Sequence, residues 1–275
     1  MTSPTFSVII PTLNEEKFLP LLLESLSEQG ERNFEVIVVD GSSQDATVSI
    51  AKRFQKKLPS LQILTGKRGL PYQRNSGAKV AKGKWLVFVD ADSVFLPYFF
   101  SETLVYIDTY KPRVFTTWAR PDSESVNDAL ITLFYLLIIE GSLLVKRHIT
   151  PGPLAIVRAD VFKSVGGYDE TREFNEDMDL GLRLQKAGHP LFILRQSLYI
   201  WSLRRFRSEG TLKILHQYAL ASIVVLLRNK PLSRMPGYVM GGHLYGKRRQ
   251  KQWQHFVADL NKKIRSFFDD LRNSL

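Results

Sequence analysis

The first hundred residues alternate between two hydrophobic patterns, and this alternation limits the possible fold more than any other feature of the sequence. Four short, nearly continuous apolar runs are separated by segments in which apolar residues recur at helical spacing. The runs are FSVIIP, FEVIVVD, LQILTG and WLVFVDAD, which begin at residues 6, 34, 61 and 85. Such runs are typical of strands covered on both faces, and repeated strand–helix units build a parallel sheet. The pattern predicts an α/β fold with a parallel sheet flanked by helices.

A polar segment follows each of the four runs. These segments read PTLNEE, DGSSQD, GKRGLPYQRN and DADS. In parallel α/β sheets, ligands bind at the carboxyl ends of the strands. We therefore expect a binding site where these four segments meet.

Residues with capping preferences predict where the first three helices begin or end. Asn14 is expected to be the N-cap of the first helix, and Ser43 or Asp45 to open the second. The third helix, within PYQRNSGAKVAKG, is expected to end with Gly83 at its C′ position.

The regular alternation loosens after Pro97. Helices are expected in PYFFSETLVYIDTY, over Ser125 to Lys146 and in NEDMDLGLRLQKAG, and strands in RVFTTWA and HPLFILRQSLYIW. Between them, PGPLAIVRADVFKSVGGYDE predicts a strand and a short helix that ends at Gly166 and Gly167.

Two further helices are expected at residues 210–228 and 249–271. The formal net charge is +11, and the basic residues concentrate after Arg195. We therefore expect an α/β domain at residues 1–206 and a basic helical appendage at residues 207–275. A basic surface attracts the phosphates of a nucleotide, a nucleic acid or an anionic bilayer, and a well-solvated surface is the alternative.

The chain has no cysteine, which excludes disulfides, cysteine–zinc sites and thiol nucleophiles. The N-terminal residues lack the basic region and cleavage site of a secretory signal. The longest apolar stretch, Ala129 to Val145, has 17 residues and includes Glu140, which favours a buried or interfacial helix over a membrane span. We expect a cytoplasmic protein, and an interfacial helix would place it at the inner face of the membrane.

Asp90 and Asp92 stand directly after the fourth apolar run. Two carboxylates buried at a strand end need a partner, and hard cations such as Mg²⁺ or Mn²⁺ prefer carboxylate and phosphate oxygens. The alternative, which the tripeptide alone leaves equally open, is that these acids cap the next helix.

Five motifs occur in a fixed order along the chain. They are SVIIPTLNEEKFLPLLLESL, EVIVVDGSSQDAT, RNSGAKVAKGKWLVFVDADS, GGYDE and NEDMDLGLRLQKAG. Together they resemble the family 2 nucleotide-sugar glycosyltransferases of GT-A (Rossmann-like) fold, over about residues 6–206. The resemblance implies a mixed, mainly parallel sheet flanked by helices. The resemblance implies inverting, metal-dependent transfer of a sugar from a UDP- or GDP-sugar to a hydroxyl group. The QxxRW motif of processive members is missing near the end of this span, so a non-processive enzyme is implied.

The resemblance also implies which residues bind the nucleotide. The end of the first strand lines the base and ribose in this family, and Pro11, Thr12, Asn14 and Glu15 hold those positions here. Arg74 matches the first residue of the family's RN pair near the nucleotide.

Acids after the second and fourth strands have implied roles as well. Asp40 would accept a hydrogen bond from the base, and Gly41 and Ser42 would allow close backbone approach, while an Asx turn at Asp40 is the alternative. Asp90 resembles the acid on the ribose and metal side, and Asp92 the direct ligand of Mn²⁺ or Mg²⁺.

The second acidic cluster resembles the family's ED motif, whose aspartate is the general base. Asp177 is therefore the expected base and Glu176 the alternate, although acids in a first helical turn also complement the helix dipole. Arg204 and Arg205 match a basic motif that would grip the diphosphate, or they form a solvated surface.

Two other functions are open from the sequence. A sugar-phosphate nucleotidyltransferase would need a Gly-rich GxGTR-type loop after the first strand, where this chain has PTLNEE. A non-catalytic basic binding module would explain the charge but not two acid clusters. The expected partners are the nucleotide-sugar donor and a glycan or lipid-linked acceptor, with peripheral membrane association left open and nucleic acid not expected.

Overall fold

The computed structural model describes residues 3–146, 148–211, 214 and 216. The strands are β1 (Phe6–Thr12), β2 (Phe34–Asp40), β3 (Leu61–Thr65), β4 (Trp85–Val89), β5 (Val94–Phe95), β6 (Val114–Pro121), β7 (Leu154–Arg158) and β8 (Leu191–Trp201). The helices are α1 (Leu19–Ser27), α2 (Thr47–Arg53), α3 (Leu70–Val80), α4 (Phe99–Tyr110), α5 (Val126–Leu144), α6 (Ala159–Ser164), α7 (Glu176–Lys186) and α8 (Arg204–Glu209).

The strands form one eight-stranded sheet in the order β3-β2-β1-β4-β7-β6-β8-β5. β1 pairs in parallel with β2 and β4, and β2 pairs in parallel with β3. Every residue of β1, β2 and β4 is buried, as the continuous apolar runs predicted. The same prediction was wrong for β3, which lies at the edge of the sheet and is only partly buried. The expected parallel half of the fold is therefore confirmed.

The second half of the sheet is mixed. β7 runs antiparallel to both β4 and β6, β6 runs parallel to β8, and β5 is antiparallel to β8. Because β7 is inserted next to β4, the strand end at residue 90 lies against the loop before β7, and the backbone N–H of Asp90 donates to Pro153 O at 3.2 Å. This pairing brings the third quarter of the chain to the carboxyl end of β4.

Alternate residues of β1 face two separate cores. Phe6, Val8 and Ile10 belong to the core beneath α1, α2 and α4, whereas Ile9 belongs to the core beneath α6 and α7. The sheet is therefore covered on both faces. Its carboxyl edge remains available to ligands.

Two helix-end predictions were wrong for reasons of local geometry. α1 begins at Leu19 rather than after Asn14, which has a φ of 56° and whose side-chain oxygen accepts a hydrogen bond from the Gln44 backbone N–H at 2.8 Å. Asn14 therefore links two loops. Gly83 is not the C′ residue of α3, which ends at Val80; instead its N–H donates to Ser7 Oγ at 2.8 Å, and a Cβ there would lie 2.6 Å from Ser7 N.

The N-cap of the second helix was also misplaced. The N-cap residue of α2 is Ala46, so neither Ser43 nor Asp45 holds that position. Asp45 still serves the helix start, because its Oδ1 accepts a hydrogen bond from the Thr47 backbone N–H at 3.0 Å.

The later helices agree with the sequence patterns. α5 covers all but the ends of the range 125–146, α6 is followed by Gly166 and Gly167 at positive φ, and α7 is followed by Gly188 at φ 84°. Among the described helices, α5 is the one with the length and composition of a membrane span.

The predicted helices at 210–228 and 249–271 lie almost entirely outside the described residues. α8 contains residue 206, and the division of the chain there stays a prediction.

Close packing of α3 on the sheet gives a test of the fold. A Cβ on Gly77 would lie 2.5 Å from Ile9 Cγ2 and 3.1 Å from Val39 Cγ2, whereas a Cβ on Gly141 of α5 meets nothing within 4 Å. We expect Gly77→Ala to lower the free energy of unfolding by about 1–3 kcal/mol. Gly141→Ala should raise it by up to about 1 kcal/mol, because alanine favours the helix. Urea denaturation measures both, and equal effects would contradict the packing.

Candidate active site

A cavity of about 780 Å³ opens at the carboxyl ends of β1 and β4. It brings together most of the residues that the sequence singled out. They are Pro11, Thr12, Glu15, Arg74, Asp90, Asp92, Glu176, Asp177, Arg204 and Arg205. The two acidic clusters thus share one cleft, although 86 residues of sequence separate their first members.

Arg74 joins the two clusters. Its side chain projects from α3 and is 1% exposed. Nη1 donates to Glu176 Oε1 at 3.0 Å, and Nη2 donates to Asp90 Oδ1 at 3.1 Å and to Gly152 O at 2.9 Å. The guanidinium therefore fixes the end of β4, the start of α7 and the loop before β7 around one point.

The environment of Arg74 keeps its guanidinium charged. Burial by itself would lower the pKa of Arg74, but Tyr168, Asp90 and Glu176 outweigh it and raise that pKa. The Tyr168 ring centroid lies 5.1 Å from Arg74 Cζ, within range of a cation–π contact. A permanent positive charge at this depth holds two negative charges in place.

Glu176 and Asp177 differ in their partners. Glu176 takes the ion pair with Arg74, and burial nevertheless raises the pKa of its carboxyl. Asp177 accepts a hydrogen bond from Met178 N at 2.8 Å. Burial, reinforced by the charge of Glu176, raises the pKa of Asp177 to about 7. A carboxyl of that pKa can take up and release a proton near neutrality.

Gly152 makes room for the Asp177 side chain. A Cβ at residue 152 would lie 2.8 Å from Asp177 Oδ2. The Thr150 hydroxyl donates a hydrogen bond to the Asp177 backbone carbonyl, so the loop before β7 also holds the start of α7. This loop therefore positions Asp177 from two sides.

Asp92, which also lines the cavity, lies in a chain of ion pairs. Its Oδ2 is 2.7 Å from Arg204 Nε, and the Arg204 guanidinium donates two hydrogen bonds to Glu15, at 2.6 and 2.7 Å. Burial raises the pKa of Asp92 to about 7, with Arg204 opposing this effect and Asp90 adding to it. Burial likewise raises the pKa of Glu15.

Asp90 and Asp92 do not cap a helix. α4, the next helix, begins at Phe99 with Tyr98 as its N-cap residue, so the capping alternative is wrong. Both carboxylates instead line the cavity, and carboxylate oxygens suit Mg²⁺ or Mn²⁺. Within the described residues, no group of three acidic, histidine or cysteine side chains is placed to hold a metal ion. A cation here would therefore take its other ligands from a diphosphate and water.

Four of the predicted nucleotide-binding residues do not line the cavity. Asp40 is 1% exposed, and its Oδ2 accepts from the backbone N–H of Ser43, three residues on, at 2.9 Å, while Oδ1 accepts from Thr12 Oγ1 at 3.1 Å. Its neighbours Gly41 and Ser42, and Asn14, are likewise outside the lining. These bonds give Asp40 a local structural role in place of the alternative Asx turn, and nucleotide contacts by these four residues stay predictions.

Some residues of the site carried too little signal to be assigned from sequence. Gln73 is buried and donates through Nε2 to Thr12 O at 2.8 Å and Val39 O at 2.7 Å, which fixes the end of β1. Tyr168 places its ring against the Arg74 guanidinium, and Gly152 leaves room for the Asp177 carboxyl. The nearest sequence signal for Gln73 is the RN motif, and that for Tyr168 is the GGYDE motif. The segment PGPLA around Gly152 gives no such signal.

Trp118 and His148 have structural roles. Trp118 Nε1 donates to Glu140 Oε1 at 3.1 Å, and His148 Nδ1 accepts from Leu191 N at 2.9 Å. Trp201 packs on Tyr135 with ring centroids 4.5 Å apart and lines the cavity.

Replacing Arg74 tests whether it holds the site together. We expect Arg74→Met to lower the free energy of unfolding by about 3 kcal/mol at pH 8, because it leaves Glu176 charged and buried without a partner. In the folded variant the pKa of Glu176 lies above its value in the unfolded chain. The loss of folding free energy therefore grows as the pH rises above the unfolded pKa, and it is smaller at pH 5. Urea denaturation at both pH values measures the difference. Arg53→Met, at the exposed end of α2, is the control, and an equal loss at both pH values would contradict this role.

The sequence model of the family "Glycosyl transferase family 2" matches residues 7–166. An uncharacterized glycosyltransferase of Haemophilus influenzae is 29% identical over 182 residues, which are 65% of this chain and 61% of that protein. The poly(ribitol-phosphate) beta-N-acetylglucosaminyltransferase TarS of Staphylococcus aureus is 30% identical over 210 residues, 73% of this chain and 36% of TarS. The chain thus spans less than two thirds of the length of each of these relatives.

Solved structures show the same fold. A crystal structure of S. aureus TarS residues 1–349 with UDP-GlcNAc has a TM-score of 0.59 at 23% identity and covers 72% of this chain and 58% of that one. A mannosyltransferase from Pyrobaculum calidifontis in complex with GDP-Man and Mn²⁺ has a TM-score of 0.63 at 19% identity, over 85% of this chain and 67% of that one. These likenesses confirm the expected GT-A fold.

The family match includes the cluster at the end of β4 and Arg74 but ends before α7. It nevertheless spans more than half of the sequence and, except for Phe6, the parallel half of the sheet. The chain therefore belongs to glycosyl transferase family 2.

Proposed function

We propose that this chain is an inverting, non-processive glycosyltransferase that moves a sugar from a nucleoside-diphosphate sugar to an acceptor hydroxyl. One observation carries the proposal. Asp177, with a pKa of about 7, and the acids Asp90 and Asp92 line a single cavity, and Arg74 links Asp90 to Glu176, the residue before Asp177. Such a transfer requires a base and a site for the cation that neutralises the diphosphate, both facing one space.

The donor side of the proposed reaction is the wall formed by β1 and β4. Pro11, Thr12 and Glu15 line this wall and would contact the nucleoside. The solved relatives contain UDP-GlcNAc, UDP or GDP-Man, which supports a UDP- or GDP-sugar as donor. The acceptor would be a hydroxyl on a glycan or a lipid-linked molecule.

Asp92 and Asp90 would hold a divalent cation on this wall. Such a cation, when bound, supplies Lewis-acid stabilisation of the diphosphate leaving group. The Mn²⁺ in the mannosyltransferase structure supports Mn²⁺ or Mg²⁺. Arg204 and Arg205 line the same part of the cavity and would neutralise the remaining charge of the diphosphate.

Asp177 would act as the general base. Its carboxylate takes the proton of the acceptor hydroxyl while the oxygen attacks the anomeric carbon, and the bond from that carbon to the diphosphate oxygen breaks. Attack opposite the leaving group inverts the anomeric configuration. The proton then leaves Asp177 to solvent, and the nucleoside diphosphate departs with the electron pair. Glu176 is the weaker candidate for the base, because Arg74 holds it as an ion pair.

The two other functions are less well supported. The loop after β1 is PTLNEE, without the glycine-rich sequence of a nucleotidyltransferase. A binding module has no need for a buried carboxyl of near-neutral pKa at the cavity wall.

Removing the base separates binding from chemistry. We expect Asp177→Asn to lower kcat for transfer by about 10²–10⁴-fold, because asparagine cannot accept the hydroxyl proton. Affinity for UDP or GDP with Mn²⁺ should stay within about twofold, since the substitution leaves the donor wall intact. Asp160→Asn, in the first turn of α6, is the matched control. Transfer at the wild-type rate in Asp177→Asn would overturn the assignment of the base.

Arg204 tests the cation site, because its guanidinium contacts Asp92 directly. We expect Arg204→Gln to tighten Mn²⁺ binding in the absence of nucleotide by severalfold, roughly the effect of removing one nearby positive charge. The same change should weaken nucleotide binding about tenfold by removing a charge-assisted hydrogen bond. Electron paramagnetic resonance of free Mn²⁺ and calorimetry measure the two affinities.

The outcome of the Arg204 experiment depends on Asp92. Asp92→Asn should abolish Mn²⁺ binding in both backgrounds, and Arg53→Gln should change neither affinity. Unchanged Mn²⁺ affinity in Arg204→Gln would show that the cation does not bind at Asp92.

A further inference from the structure

α8 carries the two arginines of the cavity, Arg204 and Arg205, but it is too short to be stable by itself. It has six residues, and isolated helices shorter than about 12 residues are marginal in water. Its position therefore depends on the contacts that its side chains make with the rest of the domain. Arg204 and Arg205 can serve the proposed site only where those contacts place them.

The ion pairs of Arg204 are poorly suited to fix α8 during a reaction. Its guanidinium bonds to Glu15 and to Asp92, and both acids line the cavity. Arg204 would be repelled by a cation at Asp92 and drawn toward a diphosphate in the cavity. α8 therefore needs a contact that substrates do not disturb.

An apolar contact fixes α8 against the core but does not set its orientation. Phe206 is 3% exposed and packs edge-on against Trp201, with ring centroids 5.7 Å apart. Apolar contacts are not directional. A polar contact is needed to orient the helix.

Arg207 supplies that polar contact. Its Nη1 and Nη2 donate to Asp122 Oδ1 and Oδ2, at 2.9 and 2.5 Å, and Nη1 also donates to Asp128 Oδ2 at 2.6 Å. Two parallel bonds between a guanidinium and a carboxylate impose a fixed geometry. None of these three residues belongs to the cavity lining. The contact therefore lies outside the space that substrates would occupy.

Asp122 also holds the start of α8. Its Oδ1 accepts a hydrogen bond from the backbone N–H of Leu203, the N-cap residue of α8, at 3.1 Å. The same carboxylate thus contacts residue 203 and residue 207. Arg204 and Arg205 lie between these two points of the chain.

The two acids belong to one turn between the sheet and α5. Asp122 directly follows the last residue of β6, and Asp128 lies in the first turn of α5, where an acid complements the helix dipole. Ser123 Oγ donates to Asp128 Oδ2 at 2.5 Å and accepts from the Ser125 N–H at 3.2 Å. α8 is therefore tied to a hydrogen-bonded turn that continues directly from the sheet.

We propose that Asp122 and Arg207 are positioning residues of the cavity. Their two-pronged ion pair, with Asp128 as a second acceptor, orients α8 so that Arg204 and Arg205 face the diphosphate. They act through α8 and do not touch the substrate. This role rests on the proposed function, because it is the proposed reaction that brings a diphosphate to those arginines.

Comparing diphosphate with nucleoside binding tests this role on the full chain. The probes are UDP and GDP with Mn²⁺, and uridine and guanosine, titrated by ligand-observed NMR. We expect Arg207→Met and Asp122→Asn each to weaken diphosphate binding about tenfold, roughly the effect of losing one charge-assisted hydrogen bond. Nucleoside affinity should stay within twofold, because the nucleoside would bind at the wall formed by β1. Glu24→Gln, which breaks a surface ion pair with Lys57 outside the cavity, is the control and should change neither affinity.

The double variant Asp122→Asn/Arg207→Met tests whether the two residues act as one unit. We expect it to bind the diphosphate about as weakly as Arg207→Met alone, because each substitution removes the same ion pair. Independent residues would instead multiply their losses, to about a hundredfold. Arg207→Lys keeps the charge and should lose less affinity than Arg207→Met.

Two results would overturn the positioning role. One is a melting temperature lowered in the variants with an unchanged ratio of diphosphate to nucleoside affinity, which would show that the ion pair only stabilises the fold. The other is a multiplied loss in the double variant. Failure of the wild type to bind either diphosphate would instead overturn the proposed function, and the positioning role with it.

Discussion

The ion pairs of Arg74 are the interaction on which the candidate site depends. A buried guanidinium cannot lose its charge, and buried carboxylates are costly without a partner, so each side requires the other. Arg74 contacts the end of β4, the loop before β7 and the first residue of α7. Three segments that are distant in sequence are thereby fixed at one edge of the sheet, and the cavity is formed by their meeting.

This arrangement divides the acids of the cleft into two kinds. Glu176 and Asp90 contact Arg74 directly and have a structural partner. Asp92 is paired with Arg204 instead, whereas Asp177 accepts a hydrogen bond from the Met178 backbone N–H. Burial raises the pKa of all four carboxyls. The acids of the cleft therefore differ in their partners: an arginine holds Glu176, Asp90 and Asp92 in place, and Asp177 can handle a proton. The pattern ED or DAD in the sequence does not show which residue has which task.

Much of the fold could be predicted because the parallel half of the sheet is encoded in local pattern. Continuous apolar runs identified β1 to β4, and three of the four polar segments after them line the cavity, whereas DGSSQD after β2 does not. The mixed half could not be predicted, since the place of β7 beside β4 depends on pairing between distant strands. Asn14 and Gly83 were misassigned for a similar reason: their contacts are with Gln44 and Ser7 in other segments. The apolar spacing of α5 was visible in the sequence, but only the structure shows which face is outward.

The central claim is that Asp177, poised by burial and by the charge of Glu176, accepts the proton of the acceptor. The most direct test is the pH dependence of kcat for sugar transfer in the wild type and in Glu176→Gln. The base must be deprotonated to act, so the wild-type rate should rise with pH and level off above about pH 7. In Glu176→Gln the midpoint should move to lower pH by about one unit, because a negative charge that raises the pKa of Asp177 is gone. A midpoint that does not move, or one that persists in the residual activity of Asp177→Asn, would contradict the account.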